Sequence, residues 1–192
     1  MEVDEPNLTN DEIAALARRI DRPIALVGMM GVGKSSVGRK LAHVLHLPFV
    51  DADEAIEEAA QMSIPEIFAT YGEAYFRDGE RRVITRLMED HGGRPAVIAT
   101  GGGAFVNDQT RAMILERAIP VWLDCDVETL YERVGRKGNR PLLKQGDPRE
   151  ILTRLRTERA PFYAQAPIKV MSIDGPHART VQQVLRGIDS WL

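Results

Sequence analysis

At 192 residues, with 44% apolar content and a net charge of −3, the chain is the size of one domain, since a domain takes roughly 100–200 residues. A chain this long needs no disulfide or structural metal to hold it together, and its single cysteine, Cys125, and four scattered histidines offer neither. There is no basic excess for nucleic acid and no apolar run for a membrane span. The acidic start MEVDEPNLTNDE is unlike a secretory signal, so the cytoplasm is the expected compartment.

Residues 1–10 read as a loose tail. Thr9 and Glu12 can form a capping box ahead of Ile13, Leu16, Ala17 and Ile20 at helical spacing, which predicts a short helix on the outside of the domain. IALVG at 24–28 is a buried-strand run, followed by a helix from Lys34 to about Leu45. LPFVD at 47–51 is a second strand and DEAIEEAAQ a helix. Pro65 to Tyr71 suits a short helix, and Glu73 to Asp90 a long one ended by Gly92 and Gly93. PAVIAT at 95–100, IPVWLD at 119–124 and IKVMSID at 168–174 are the remaining strands. Helices are expected over about 108–118, over VETLYERV and from Arg179 to Leu192. Alternation of this kind implies an α/β domain with a parallel sheet covered on both faces. Residues 135–149 break the pattern with glycines, prolines and five basic residues, and are expected to form a mobile lid.

Gly28-Met29-Met30-Gly31-Val32-Gly33-Lys34-Ser35 matches GxxxxGK[ST] between a strand and a helix. Glycines let successive N–H groups curl around a phosphate, and the following helix turns its positive end toward it. Lys34 supplies charge to the β/γ-oxygens, and the Ser35 hydroxyl ligates Mg²⁺. ATP binding follows. No NKxD string for guanine is present, and the third strand ends Thr100-Gly101-Gly102-Gly103 without an acid. The carboxylate on the magnesium side must come from elsewhere, and Asp51 is the natural candidate.

Asp51-Ala52-Asp53 stands at a strand's carboxyl end, where open α/β sheets bind ligands. Asp51 can hold a magnesium-bound water while Asp53 faces an acceptor hydroxyl; the plainer alternative is that one of them caps the next helix. Arg77 and Glu80 share a helix face at i,i+3. They read either as one more surface ion pair or as a glutamate orienting an arginine toward a substrate carboxylate. Gly101 to Gly103 permit close backbone approach to a ligand. Arg140, inside the lid, suits a cation that swings onto the phosphates. Phe68 and Phe76 can line an apolar wall, although core burial is the commoner fate of either.

Taken together, GMMGVGKSSVGRKLA at 28–42, VDAD at 50–53, IF at 67–68, GEAYFRDGE at 72–80, TGGGA at 100–104, RPLL at 140–143 and RAPFY at 159–163 resemble the shikimate kinases over about residues 22–175. The resemblance implies a P-loop, nucleoside-monophosphate-kinase-like αβα fold with five parallel strands in the order 2-3-1-4-5. It implies transfer of the γ-phosphate of MgATP to the 3-hydroxyl of shikimate, toward chorismate and the aromatic amino acids. Carried over by motif, Asp53 contacts the shikimate hydroxyls, Asp51 assists magnesium with Ser35, and Arg77 and Arg159 grip the carboxylate. Gly101, Gly102 and Gly103 help hold the ring, and Arg140 reaches the reaction centre. Arg133 lies against adenine, and Pro176 falls in a turn that flanks it. Lys34, Asp53 and Arg140 are the catalytic set, and the loop from Gly28 through Ser36 completes the nucleotide contacts. Ser36 departs from the threonine of many members. Residues 1–21 have no counterpart, so the division is an extension followed by a kinase domain over 22–192. Gluconate or nucleoside monophosphate kinases on the same fold, and a non-catalytic nucleotide-binding module, are the rivals. Nothing requires more than a monomer.

Overall fold

Ile24 to Val27 carry only apolar side chains, and all four residues are buried, as expected of a strand covered on both faces. This strand, β1, is the middle of a parallel sheet whose order is β2-β3-β1-β4-β5. The other strands are β2 (Phe49–Asp51), β3 (Val97–Ala99), β4 (Ile119–Asp124) and β5 (Ile168–Met171). Register is set by Ile24 opposite both Val97 and Ile119, and by Asp51 opposite Ala99. The computed structural model describes residues 7–89, 94–135, 146–172 and 177–192. Strand order and parallel direction agree with expectation, and the carboxyl ends of β1, β2 and β3 share one edge, where a cleft forms.

The helices are α1 (Asn10–Arg19), α2 (Lys34–Leu45), α3 (Ala52–Ala60), α4 (Ile64–Glu89), α5 (Asp108–Arg117), α6 (Val127–Gly135), α7 (Pro148–Tyr163) and α8 (His177–Trp191). The first begins with the expected capping box: the Glu12 N–H donates to the Thr9 hydroxyl while the Thr9 N–H donates 2.7 Å to the Glu12 carboxylate. Its apolar face is not superficial. Ile13, Leu16 and Ile20 belong to the main core, the Leu8 N–H donates to Gln182 on α8, and Arg19 pairs with Asp189 there. The span α4 holds the two helices expected on either side of residue 72: they meet at Gly72, whose φ of +81° and ψ of 176° are not helical. Glycine adopts that φ without a Cβ penalty, so the chain turns there and resumes its helix at once.

Helix α7 was not legible in the sequence. Its start is ordinary, with Asp147 accepting from the Arg149 N–H at 2.9 Å and Pro148 in the first turn. Its end contains Pro161, and few of its residues are apolar enough to show a helical stripe. Tertiary contacts fix it instead. Arg156 makes a two-point grip on buried Asp124, with Nε to Oδ1 at 3.1 Å and NH2 to Oδ2 at 2.9 Å, and Lys169 adds a third contact at 3.2 Å. Helix α7 is thereby bound to the carboxyl end of β4. Among the described residues no helix is long and apolar enough to cross a membrane.

Leu16 is 1% exposed, so Leu16→Ala should destabilise the fold by about 2–4 kcal/mol, the usual cost of a truncated core leucine. Urea unfolding measures that loss, with kcat expected to stay at the wild-type value. A loss under about 0.5 kcal/mol would mean that α1 is a surface appendage after all.

Candidate active site

The turn between β1 and α2 is built on glycine. Gly28 has φ +138°, and a Cβ there would collide with the Leu123 carbonyl of β4. Gly33 is the left-handed N-cap of α2, with φ +102°. The first turn of α2 therefore opens into this loop with N–H groups that need an acceptor, the arrangement that favours an anion. Lys34 is buried, and its Nζ donates to the Gly28 carbonyl at 2.7 Å and the Met29 carbonyl at 2.8 Å. Met29 and Val32 face the core while Met30 is partly exposed, so the loop is packed from beneath.

Asp51 serves two purposes. One oxygen, Oδ1, caps α3 by accepting from the Asp53 N–H at 3.0 Å; the other, Oδ2, accepts from the Ser35 hydroxyl at 2.6 Å. The choice between helix cap and partner of the phosphate loop is not exclusive, because two oxygens meet both demands. Asp53 then falls in the first turn of α3 and faces β3. A Cβ on Gly101 would stand 2.8 Å from Asp53 Oδ1 and 3.0 Å from Glu80 Oε1. The glycine leaves room for two carboxylates to approach the strand end.

Across the cleft, Arg77 NH1 donates to Glu80 Oε2 at 2.6 Å, and Glu73 approaches Arg77 Nε at 3.6 Å. Glu80 is 1% exposed, which separates this pair from the surface ion pairs crowding the same helix. Burial raises the Glu80 carboxyl above its ordinary value; the Arg77 charge and hydrogen bond oppose that, and the Asp53 charge adds to it. Arg77 also lies directly against Gly103, where a Cβ would clash with the guanidinium. Arg159 reaches the same turn from α7, with NH1 3.4 Å from the place of a Gly102 Cβ. Two guanidinium groups, Arg77 and Arg159, thus border one cavity of about 890 Å³ together with Gly103. Paired arginine forks of this kind suit a carboxylate.

The shikimate kinase family model matches residues 30–189. The chain belongs to the shikimate kinase family. A shikimate kinase of Novosphingobium aromaticivorans is 66% identical over 195 residues, covering all of both chains. One of Caulobacter vibrioides is 54% identical over 181 residues, 94% of this chain and 88% of that one. Among solved structures, shikimate kinase from Acinetobacter baumannii in complex with shikimate superposes with a TM-score of 0.83 at 36% identity, covering 91% of this chain and 97% of that one.

Within this family member the expected residues fall into two groups at one cleft. Gly28 to Ser35 and Asp51 lie around the β1–α2 turn, and Asp53, Arg77, Gly101 to Gly103 and Arg159 lie around the turn after β3. Ser36 follows on α2 and is exposed. Arg133 stands at the far end of the phosphate loop, its NH1 donating to the Val32 carbonyl at 3.0 Å and to the Ser172 hydroxyl at 3.1 Å. Arg140 and Pro176 lie outside the described residues, as does most of the expected lid. Phe76 is buried in a small cluster with Ile56 and Ile67, while Phe68, tilted against it with ring centroids 4.5 Å apart, is exposed. Sequence reading passed over His177, which opens α8 beside Gly33. Burial and the charges of Arg133 and Lys40 hold its imidazole below the usual histidine range.

Glu80 also makes stability depend on pH. A raised native pKa means that the folded state binds the proton more tightly than the unfolded chain. Its contribution is greatest below the ordinary glutamate value of about 4.3 and is lost as pH rises through the raised native value. The stability of Glu80→Gln relative to wild type should therefore climb across that window. Denaturant unfolding from pH 4 to 8 checks this, and a flat or falling difference would mean that Arg77 keeps Glu80 ionised throughout.

Proposed function

We propose that this chain transfers the γ-phosphate of ATP to the 3-hydroxyl of shikimate, giving shikimate 3-phosphate and ADP on the route to chorismate and the aromatic amino acids. What supports the assignment of both substrates to one cleft is the position of Asp53. Its carboxylate stands between the Ser35–Asp51 pair of the phosphate side and the Gly101–Glu80–Arg77 corner of the acceptor side.

Phosphoryl transfer asks the protein for position and charge rather than covalent chemistry. Asp53 would orient the acceptor hydroxyl and accept its proton at a carboxylate oxygen. Arg77 and Arg159 would hold the shikimate carboxylate, with Glu80 fixing the Arg77 fork. Lys34 and the N–H groups of the loop would neutralise the β/γ-oxygens, and Arg133 would lie against the adenine. Arg140 is assigned to the transferred phosphate by its motif. Ser35 and Asp51 are hard oxygen donors whose closest atoms are 2.6 Å apart. Such a hydroxyl–carboxylate pair fits Mg²⁺, which takes one or two protein oxygens and leaves its other positions to phosphate and water. The ion would supply charge neutralisation between the β- and γ-phosphates. All the assigned residues come from one chain, so a monomer is a complete catalytic unit. A cytoplasmic location, where ATP is supplied, belongs to the same proposal.

A coupled ADP-release assay with shikimate, gluconate and AMP as acceptors tests the assignment, with turnover expected for shikimate alone. In the same assay Asp53→Asn should lose roughly 10²–10⁴-fold in kcat, the range for a positioned acid–base group, while ATP still binds. Arg77→Ala should raise the KM for shikimate roughly 10–100-fold, the worth of a charged hydrogen bond. Preferential use of gluconate or AMP would overturn the proposed acceptor.

A further inference from the structure

The RAPFY string contributes one more group to the cleft besides Arg159. Tyr163, the last residue of α7, is 1% exposed and heads the large side chains that are fully buried among the described residues. A buried phenol needs a partner for its hydroxyl. Here the O–H donates to the Gly102 carbonyl, in the middle of the Gly101–Gly103 turn. The Arg159 guanidinium, one helical turn earlier, and that of Arg77 are both close enough for their charges to act on the same oxygen. Trp122 packs beside the ring, with centroids 6.0 Å apart. Burial pushes the phenol above its ordinary pKa although both arginine charges oppose the shift, so the hydroxyl stays a donor at working pH.

Peptide geometry extends the effect of that one bond. In a planar trans peptide the carbonyl and the following N–H point in opposite directions. Holding the Gly102 carbonyl toward the buried phenol turns the Gly103 N–H away from it. The guanidinium of Arg77 lies against Gly103, and that of Arg159 lies against Gly102. A phenylalanine would fill the same space but would leave the partly buried Gly102 carbonyl without this donor and Arg159 without this neighbour.

We propose that Tyr163 is a positioning residue for the acceptor, its hydroxyl holding the Gly102 peptide and the Arg159 guanidinium in one register for the substrate carboxylate. The inference rests on the reading above, in which Arg159 and the glycine turn face shikimate.

The test compares wild type with Tyr163→Phe on shikimate and on its methyl ester, which lacks the carboxylate charge. Tyr163→Phe should raise the KM for shikimate about 5- to 30-fold, as expected for a partly buried group left without its donor. Its kcat and its KM for ATP should stay within about twofold of wild type, and its KM for the ester should not change. An equal rise for acid and ester, or no rise for shikimate, overturns the proposal. Wild type that uses ester and acid equally well would instead remove the carboxylate grip itself, a separate failure. Should Tyr163→Phe not fold, wild type labelled with 3-fluorotyrosine at its four tyrosines provides a second readout by fluorine NMR. One buried resonance should move with shikimate and not with the ester. Resonances indifferent to shikimate overturn the assignment.

Discussion

The cleft depends on a single side chain with two occupied oxygens. Asp51 joins the start of α2, through the Ser35 hydroxyl, to the start of α3, through the Asp53 N–H. Those two helices leave the carboxyl ends of β1 and β2, which are not adjacent: β3 lies between them. A carboxylate that bridges the gap fixes the distance between the loop that cradles phosphate and the first turn that carries Asp53. The distance between donor and acceptor in phosphoryl transfer tolerates little error. On the proposed reading, Asp51 sets that distance without touching the acceptor.

The acceptor wall is held by burial rather than by number of charges. Arg77 sits among Glu73, Asp78 and Glu80, yet only Glu80 is shut away from water. Exposed pairs such as Arg81–Asp78 are worth little because solvent screens them and long side chains must be ordered. A buried carboxylate has no such freedom. It keeps the guanidinium in one orientation at some cost in stability, since its own desolvation works against ionisation. Gly103 allows that guanidinium to lie against the turn after β3, where a Cβ would clash with it.

Much of this was legible in the sequence. The order of elements followed from apolar runs and capping signals, and the phosphate loop from glycines at fixed offsets. Arg77–Glu80 was visible as an i,i+3 pair, but its weight was not, because burial is a property of the assembled core. Helix α7 was missed for a related reason. Its place is fixed by Arg156 on Asp124 and by Tyr163 on Gly102, contacts that span 32 and 61 residues of sequence. No local period records such contacts. The inward face of α1 was likewise decided by packing that a short window cannot see, whereas the break at Gly72 falls where the sequence divides the two helices.

The two halves of the cleft also differ in how they are made rigid. The phosphate side relies on its own backbone: Lys34 bonds to the Gly28 and Met29 carbonyls, so the cation is already ordered and desolvated at the loop. A phosphate arriving there exchanges one set of oxygens for another, and little new order is needed. The acceptor side is assembled from α3, α4, α7 and the turn after β3, elements with no common backbone. Side chains tie them to one another and to the sheet: Arg156 of α7 grips Asp124 of β4, and Tyr163 of α7 bonds to the Gly102 carbonyl, while Glu80 orients Arg77 within α4. On the proposed assignment, specificity for the acceptor rests on interior polar contacts rather than on a contiguous motif. This is why a loop of eight residues names the phosphate donor, while the acceptor emerges only when distant segments are brought together.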